Sequence, residues 1–201
     1  MGEHLRYAGL GDDAQAATLE AIVRSRPILM EVLRGARALA LTDCWLVSGA
    51  IYNSVWNSLT GRPPLTGIKD IDLFYFDGND LSYEAEDAVI KRAEPVFAHL
   101  PLPVEIRNQA RVHLWYEGHF GVPYAPLLSS CEGIDRFATT THSVGVQLDA
   151  ADALAIYAPY GLDEMFSFRL VPNRKNDNRR THETKARRAL GVWPELVVEP
   201  W

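Results

Sequence analysis

The chain has 201 residues, enough for one large domain or a domain with a small appendage. Apolar residues make up 47% of it, which supports a sizeable core and excludes general disorder; a net charge of −6 argues against broad coating of nucleic acid but not against an anionic substrate held through metal ions. Cys44 and Cys131 form no C-x-x-C or zinc spacing, no apolar run is long enough to span a membrane, and the N-terminus carries no signal-peptide core, so the expectation is a soluble cytoplasmic protein.

Residues 1–11 read as a loose arm. Ala16, Leu19, Ile22 and Val23 recur at helical spacing, which predicts a helix over 12–24 with Asp12 or Asp13 at its start. Pro27 opens a second helix to about residue 39, with Ile28, Val32, Leu33 and Ala36 as its buried stripe. Both are packing helices. Cys44-Trp45-Leu46-Val47 is a short apolar strand. It runs into Ser48-Gly49-Ala50, and a helix follows to about residue 59. A strand, a glycine turn and a helix N-terminus make a phosphate-binding geometry, because the backbone can approach closely and the first N–H groups point at the anion. Such turns are common, so this one is weak evidence alone.

Gly61-Arg62-Pro63-Pro64 breaks that helix, and Lys69-Asp70-Ile71-Asp72-Leu73-Phe74-Tyr75-Phe76-Asp77 reads as the next strand, punctuated by Gly67 and Gly78. Side chains alternate across a strand, so Asp70 and Asp72 share one face while Ile71, Leu73 and Tyr75 share the other. Their Cβ atoms then lie roughly 6–7 Å apart. Two carboxylates at that spacing suit one or two hard cations; without a cation they repel each other.

Residues 84–100 form an amphipathic helix with acids in its first turn and Pro95 near its end. From Glu105 to Leu114 the period is two, which puts Glu105, Arg107, Gln109, Arg111 and His113 on one face of an extended strand. The chain can instead leave the sheet near Asn108 and turn helical, leaving only Glu105 and Arg107 on that face. Residues 115–126 read as an aromatic, Gly/Pro-containing loop. A short helix is expected over 134–141, strands over 143–148 and 153–157, and a short helix over 162–168. Eight Lys and Arg gather within the segment from Arg169 to Arg188. That cluster either holds phosphate or is the solvated face of a terminal helix over 181–190. Trp193, Leu196, Val197 and Trp201 are expected to tack the terminus onto the core.

The order glycine turn, helix, acidic strand resembles the nucleotidyltransferase superfamily with the polymerase-β-like fold. More narrowly, the chain is similar to a bacterial nucleotidyltransferase-like family once catalogued as a domain of unknown function. The resemblance spans about residues 40–200. It rests on Trp45-Leu46-Val47-Ser48-Gly49-Ala50, Val55-Trp56-Asn57, the strand from Lys69 to Asp77, Arg107-Asn108-Gln109-Ala110-Arg111-Val112-His113, and Ala158-Pro159-Tyr160-Gly161-Leu162-Asp163-Glu164. Ala50 departs from the superfamily, which usually places Ser or Gly there; backbone contacts to a phosphate survive that change and a hydroxyl contact does not.

The resemblance implies an α/β fold: a small mixed sheet with flanking helices, divided into packing helices over 1–40, a catalytic core over 41–170 and a basic extension over 171–201. It implies Mg²⁺- or Mn²⁺-dependent transfer of a nucleoside monophosphate from a nucleoside triphosphate to a hydroxyl acceptor, which is a small molecule, a protein or an RNA end. Asp70, Asp72 and Glu105 are the implied metal-binding and catalytic residues. Ser48, Gly49, Ala50, Arg107, Gln109 and Arg111 are the implied nucleotide contacts. A degenerate nucleotide-binding module and a metal-dependent phosphohydrolase are the competing functions.

Overall fold

The computed structural model describes residues 2–201. Its framework is a five-stranded sheet in the order β3-β2-β1-β4-β5, made of β1 (Trp45–Val47), β2 (Ile71–Tyr75), β3 (Val104–Asn108), β4 (Gly145–Leu148) and β5 (Leu154–Tyr157). β1 is antiparallel to β2 and β4, and β4 to β5; β2 and β3 are parallel. The helices are α1 (Asp12–Arg24), α2 (Pro27–Ala38), α3 (Gly49–Thr60), α4 (Tyr83–Phe97), α5 (Val112–Phe120), α6 (Ser130–Ile134), α7 (Asp163–Phe166) and α8 (Arg179–Leu190). A small parallel pair, β6 (Arg169–Leu170) and β7 (Val197–Val198), closes the C-terminus. No helix among the described residues is long and apolar enough to cross a membrane.

Parallel strands need a crossover, and α4 supplies it between β2 and β3. The Ser82 hydroxyl caps α4 by accepting from the Ala85 amide (3.2 Å), with Glu84 and Glu86 in the first turn. The alternation expected of β2 holds. Ile71, Leu73 and Tyr75 join Leu46 and Ile106 in the main core with α1 to α4. On the other face, Asp72 lies between Val47 and Glu105, and Phe74 between Trp45 and Arg107. Cross-strand partners project to the same side, so this second face mixes acids, a guanidinium and aromatics. Only a small cluster around Trp45, Val47 and Ile134 packs on it.

The structure settles one open alternative and corrects several expectations. Of the two courses open to the chain after Glu105 it takes the second: the strand stops at Asn108 and turns helical, so Gln109, Arg111 and His113 do not continue its face. Asn108 causes the stop: its side-chain oxygen accepts from the Ala110 and Asp77 amides (3.1 and 3.0 Å), and its amide nitrogen donates to the Asp77 carbonyl (2.8 Å). Residues 112–120, expected first as strand and then as loop, form α5, closed by Gly121 in the left-handed region. The helix expected over 134–141 ends where it was to begin: α6 spans Ser130–Ile134, capped by the Ser129 hydroxyl. The N-terminal arm is docked, with the Gly9 amide on Asp163 (2.6 Å) and Tyr7 edge-on to Phe166. At the other end Trp193 and Leu196 are buried as expected, but Val197 is 60% exposed.

Candidate active site

At the end of β1 the chain turns sharply through Ser48, whose φ of +56° and ψ of −110° are strained for a residue with a side chain. Such a conformation costs on the order of 1–3 kcal/mol and persists only where its surroundings enforce it. Here the Ser48 amide donates to the Val144 carbonyl (2.9 Å), and the Ser48 carbonyl accepts from Ile51 and Tyr52 (2.9 and 3.1 Å). The turn starts α3 so that the Gly49 and Ala50 amides have no acceptor among the described residues. A Cβ on Gly49 would meet nothing nearer than the Tyr52 hydroxyl at 3.9 Å, so the backbone opens onto free space. The Ala50 side chain, by contrast, is buried in the core.

That helix start faces a cleft of about 220 Å³ whose lining includes Ser48, Gly49, Tyr52, Asp70, Asp72 and Lys185. Asp70 immediately precedes β2 and Asp72 lies within it. Among the described residues neither carboxylate accepts a hydrogen bond or forms an ion pair. Burial, and after it the Asp70 charge, pushes the Asp72 carboxyl up from 3.8 to about 6. Across the cleft, burial lowers the ammonium pKa of Lys185 against the pull of Asp72. The lysine's nitrogen lies over the Phe137 ring, 5.7 Å from its centroid.

The cleft walls are rigid. Arg188 donates to the Gly67 carbonyl (2.9 Å), and Gly67 itself, at φ +75°, must lack a side chain because a Cβ would sit 2.3 Å from the Trp193 ring. The Trp193 indole donates to the Asn57 side-chain oxygen on α3 (3.2 Å), and the Asn57 amide nitrogen donates to the Thr66 carbonyl (2.8 Å), which together tie the loop before Asp70 to the segment after α8. Tyr52 stacks on His142 at 4.1 Å. Burial pushes the Tyr52 phenol up and holds the His142 imidazole well below its ordinary value.

The donor set fits a hard divalent cation: two carboxylates with no protein partner, one with its charge destabilised by burial, and the buried Asn53 Oδ1, also without a partner, in the same cleft wall. Among the described residues no three His, Cys, Asp or Glu converge as a metal cluster. Glu105 lies in register with Asp72 on the same sheet face, but its carboxylate accepts from Arg107 (3.1 Å).

Ser48, Gly49, Asp70 and Asp72 are therefore brought together, with Glu105 and Arg107 beside them. Gln109 lies in a neighbouring cleft, its amide on the Arg107 carbonyl (3.4 Å). Arg111 is directed away, buried against Glu86 and donating to the Leu81 carbonyl (2.9 Å). His113 sits on α5 rather than on a strand. Of the basic cluster, Lys185 and Arg188 reach the acids' cleft, while Arg179 pairs with Glu183 along the helix (2.8 Å). Sequence reasoning did not single out Tyr52, Asn53 or the Lys185/Arg188 pair. The available signal was spacing: Tyr52 is one turn beyond Gly49, and Lys185 and Arg188 flank the buried Ala186 and Ala189.

A family model described as Nucleotidyltransferase matches residues 34–198. The chain belongs to that family. A solved structure titled "The NMR structure of the protein reveals a CCA-adding enzyme head domain" superposes on this nucleotidyltransferase with a TM-score of 0.74 and 28% identity, covering 91% of this chain and 94% of that one. No curated protein matches the sequence significantly. The fold is thus the polymerase-β-like nucleotidyltransferase fold, and family and fold together support nucleotidyl transfer. The nucleotidyltransferase's strained Ser48 turn and its Asp70/Asp72 strand stand on adjacent antiparallel strands, which is how one short sheet brings a helix N-terminus and an acid pair to the same cleft.

Proposed function

We propose that this nucleotidyltransferase moves a nucleoside monophosphate from a nucleoside triphosphate to a hydroxyl acceptor, with Mg²⁺ or Mn²⁺ held by Asp70 and Asp72. The observation that carries the reading is the unpartnered acid pair sharing one cleft with Gly49, at a helix start whose Gly49 and Ala50 amides have no acceptor among the described residues. Those amides bind phosphate oxygens, as at other helix N-termini. Lys185, in the lining of the same cleft, offsets negative charge on the transferring phosphoryl group. When bound, the cation lowers the pKa of the attacking hydroxyl and offsets charge on the transferring phosphoryl group. Glu105 acts on the nucleophile side once it exchanges Arg107 for substrate, and Arg107 is then free to meet an anion.

The test combines stability and product. Mg²⁺ is expected to raise the melting temperature of the wild type, and the double variant Asp70→Asn/Asp72→Asn to lose that shift. With a triphosphate and an acceptor, the wild type releases pyrophosphate and leaves the α-phosphate in an adduct; release of orthophosphate alone would identify a phosphohydrolase. Glu105→Gln should lower turnover at least about tenfold with an unchanged melting temperature. Equal metal shifts in wild type and double variant would remove the site.

A further inference from the structure

A second cleft lies on the same sheet face. Its floor is Phe74, which follows Asp72 by two residues on β2 and stacks on Phe137 at 5.5 Å. Its walls are aromatic: Trp115, Tyr116 and Phe120 of α5, with Tyr124 4.2 Å from Tyr116. It is open to solvent on one side and holds a cavity of about 220 Å³, room for one small ring. Lys185 lines this cleft as well as the one holding Asp70 and Asp72, so the two chambers adjoin.

Three features point to a ligand. Trp115 and Phe120 remain 42% and 45% exposed, although two large aromatics side by side on a short helix would lose apolar surface to water by packing inward. The charged side chains that border the cleft are Arg107, Arg136 and Lys185, and no carboxylate borders it. Arg136 already lies 4.9 Å over the Tyr124 ring, so guanidinium and aromatic surfaces form one continuous wall.

We propose that this cleft is the acceptor subsite, and that it takes a small flat ring carrying an anionic group and the attacking hydroxyl. The proposal rests on the nucleotidyl-transfer reading. The ring stacks against Trp115 and Phe120, the anion meets Arg107 or Arg136, and the hydroxyl is directed past Lys185 toward Asp72. In the reaction the acceptor O–H breaks as its oxygen bonds to the α-phosphorus. The bond from that phosphorus to the bridging oxygen breaks, pyrophosphate leaves with the electron pair, and the proton passes to Glu105 and then to solvent.

Two probes represent the two sources of such a ring: salicylate for an aromatic hydroxy acid, and adenosine 5′-monophosphate for a nucleotide. Calorimetric titration without donor is expected to show saturable binding of one of them, and which one binds identifies the source. Trp115→Ala and Phe120→Ala should each weaken that binding at least about tenfold, within the range that one aromatic stack supplies. Both side chains are substantially exposed, and melting temperatures of the variants verify folding. Affinity for Mg²⁺ with a nonhydrolysable triphosphate should stay within about twofold in both. Saturable binding by neither probe, or equal binding by wild type and variants, would overturn the subsite. Weakened triphosphate binding in the variants would also overturn it, by showing that the cleft holds the donor's base. Because ring binding is read without donor or metal, its failure is distinct from failure of the Asp70/Asp72 test, which reads on nucleotidyl transfer itself.

Discussion

Two acidic sites, one buried and one lining a cleft, stand on opposite faces of one sheet, and they are built in opposite ways. Glu86 is fully engaged: one oxygen accepts from the Asn108 amide (2.8 Å), and the other pairs with Arg111, whose Nε donates to the Leu81 carbonyl (2.9 Å). Asp70 and Asp72 have no such partners, and Asp72 is pushed up to about 6. At Glu86 both carboxylate oxygens are satisfied, as a buried charge requires. Where it leaves two carboxylates unsatisfied beside a strained turn, the deficit is available to a cation and its phosphates.

The largest expected effect breaks the satisfied site. Glu86→Ala strands the Arg111 guanidinium at a position where both side chains are 11% exposed, and should cost about 3–5 kcal/mol in urea unfolding. Loss of less than about 1 kcal/mol would show the pair to be dispensable.

The unsatisfied site should respond with the opposite sign. In metal-free protein, Asp72→Asn is expected to stabilise the fold by on the order of 2–3 kcal/mol at pH 8. Asp72 binds its proton more tightly folded than unfolded, so its penalty is complete above about pH 6 and disappears as pH falls toward 3.8. The gain from the substitution should shrink over that same interval in a pH series of unfolding curves. A gain independent of pH would mean that packing, not ionisation, is responsible.

The smallest effect lies on α8. Arg179, paired only with Glu183 along the exposed helix face, should be replaceable by Ala with no measurable change in stability or triphosphate affinity. Arg188→Ala on the same helix, which frees the Gly67 carbonyl and removes a cation from the cleft, should weaken triphosphate binding and flatten its salt dependence. Equal behaviour of the two variants would return the whole segment to a solvated face.

The sequence by itself determined the sheet's acidic strand, the glycine turn before α3, and most packing helices. These features are written in short-range periodicity: alternation puts Asp72 opposite Leu73, and helical spacing buries Leu19, Ile22 and Val23. Only the tertiary structure decided where β3 ends. The period-two pattern from Glu105 to Leu114 continues past Asn108, but side-chain bonds from Asn108 to Asp77 and from Arg111 to Glu86 link segments about thirty and twenty-five residues apart and override it. The tertiary structure likewise selected Lys185 and Arg188 from a run of equivalent basic residues, because the packing of Ala186, Ala189 and Trp193 sets which face of α8 meets the acids. Local pattern fixes which side chains share a face; long-range contacts decide what that face meets.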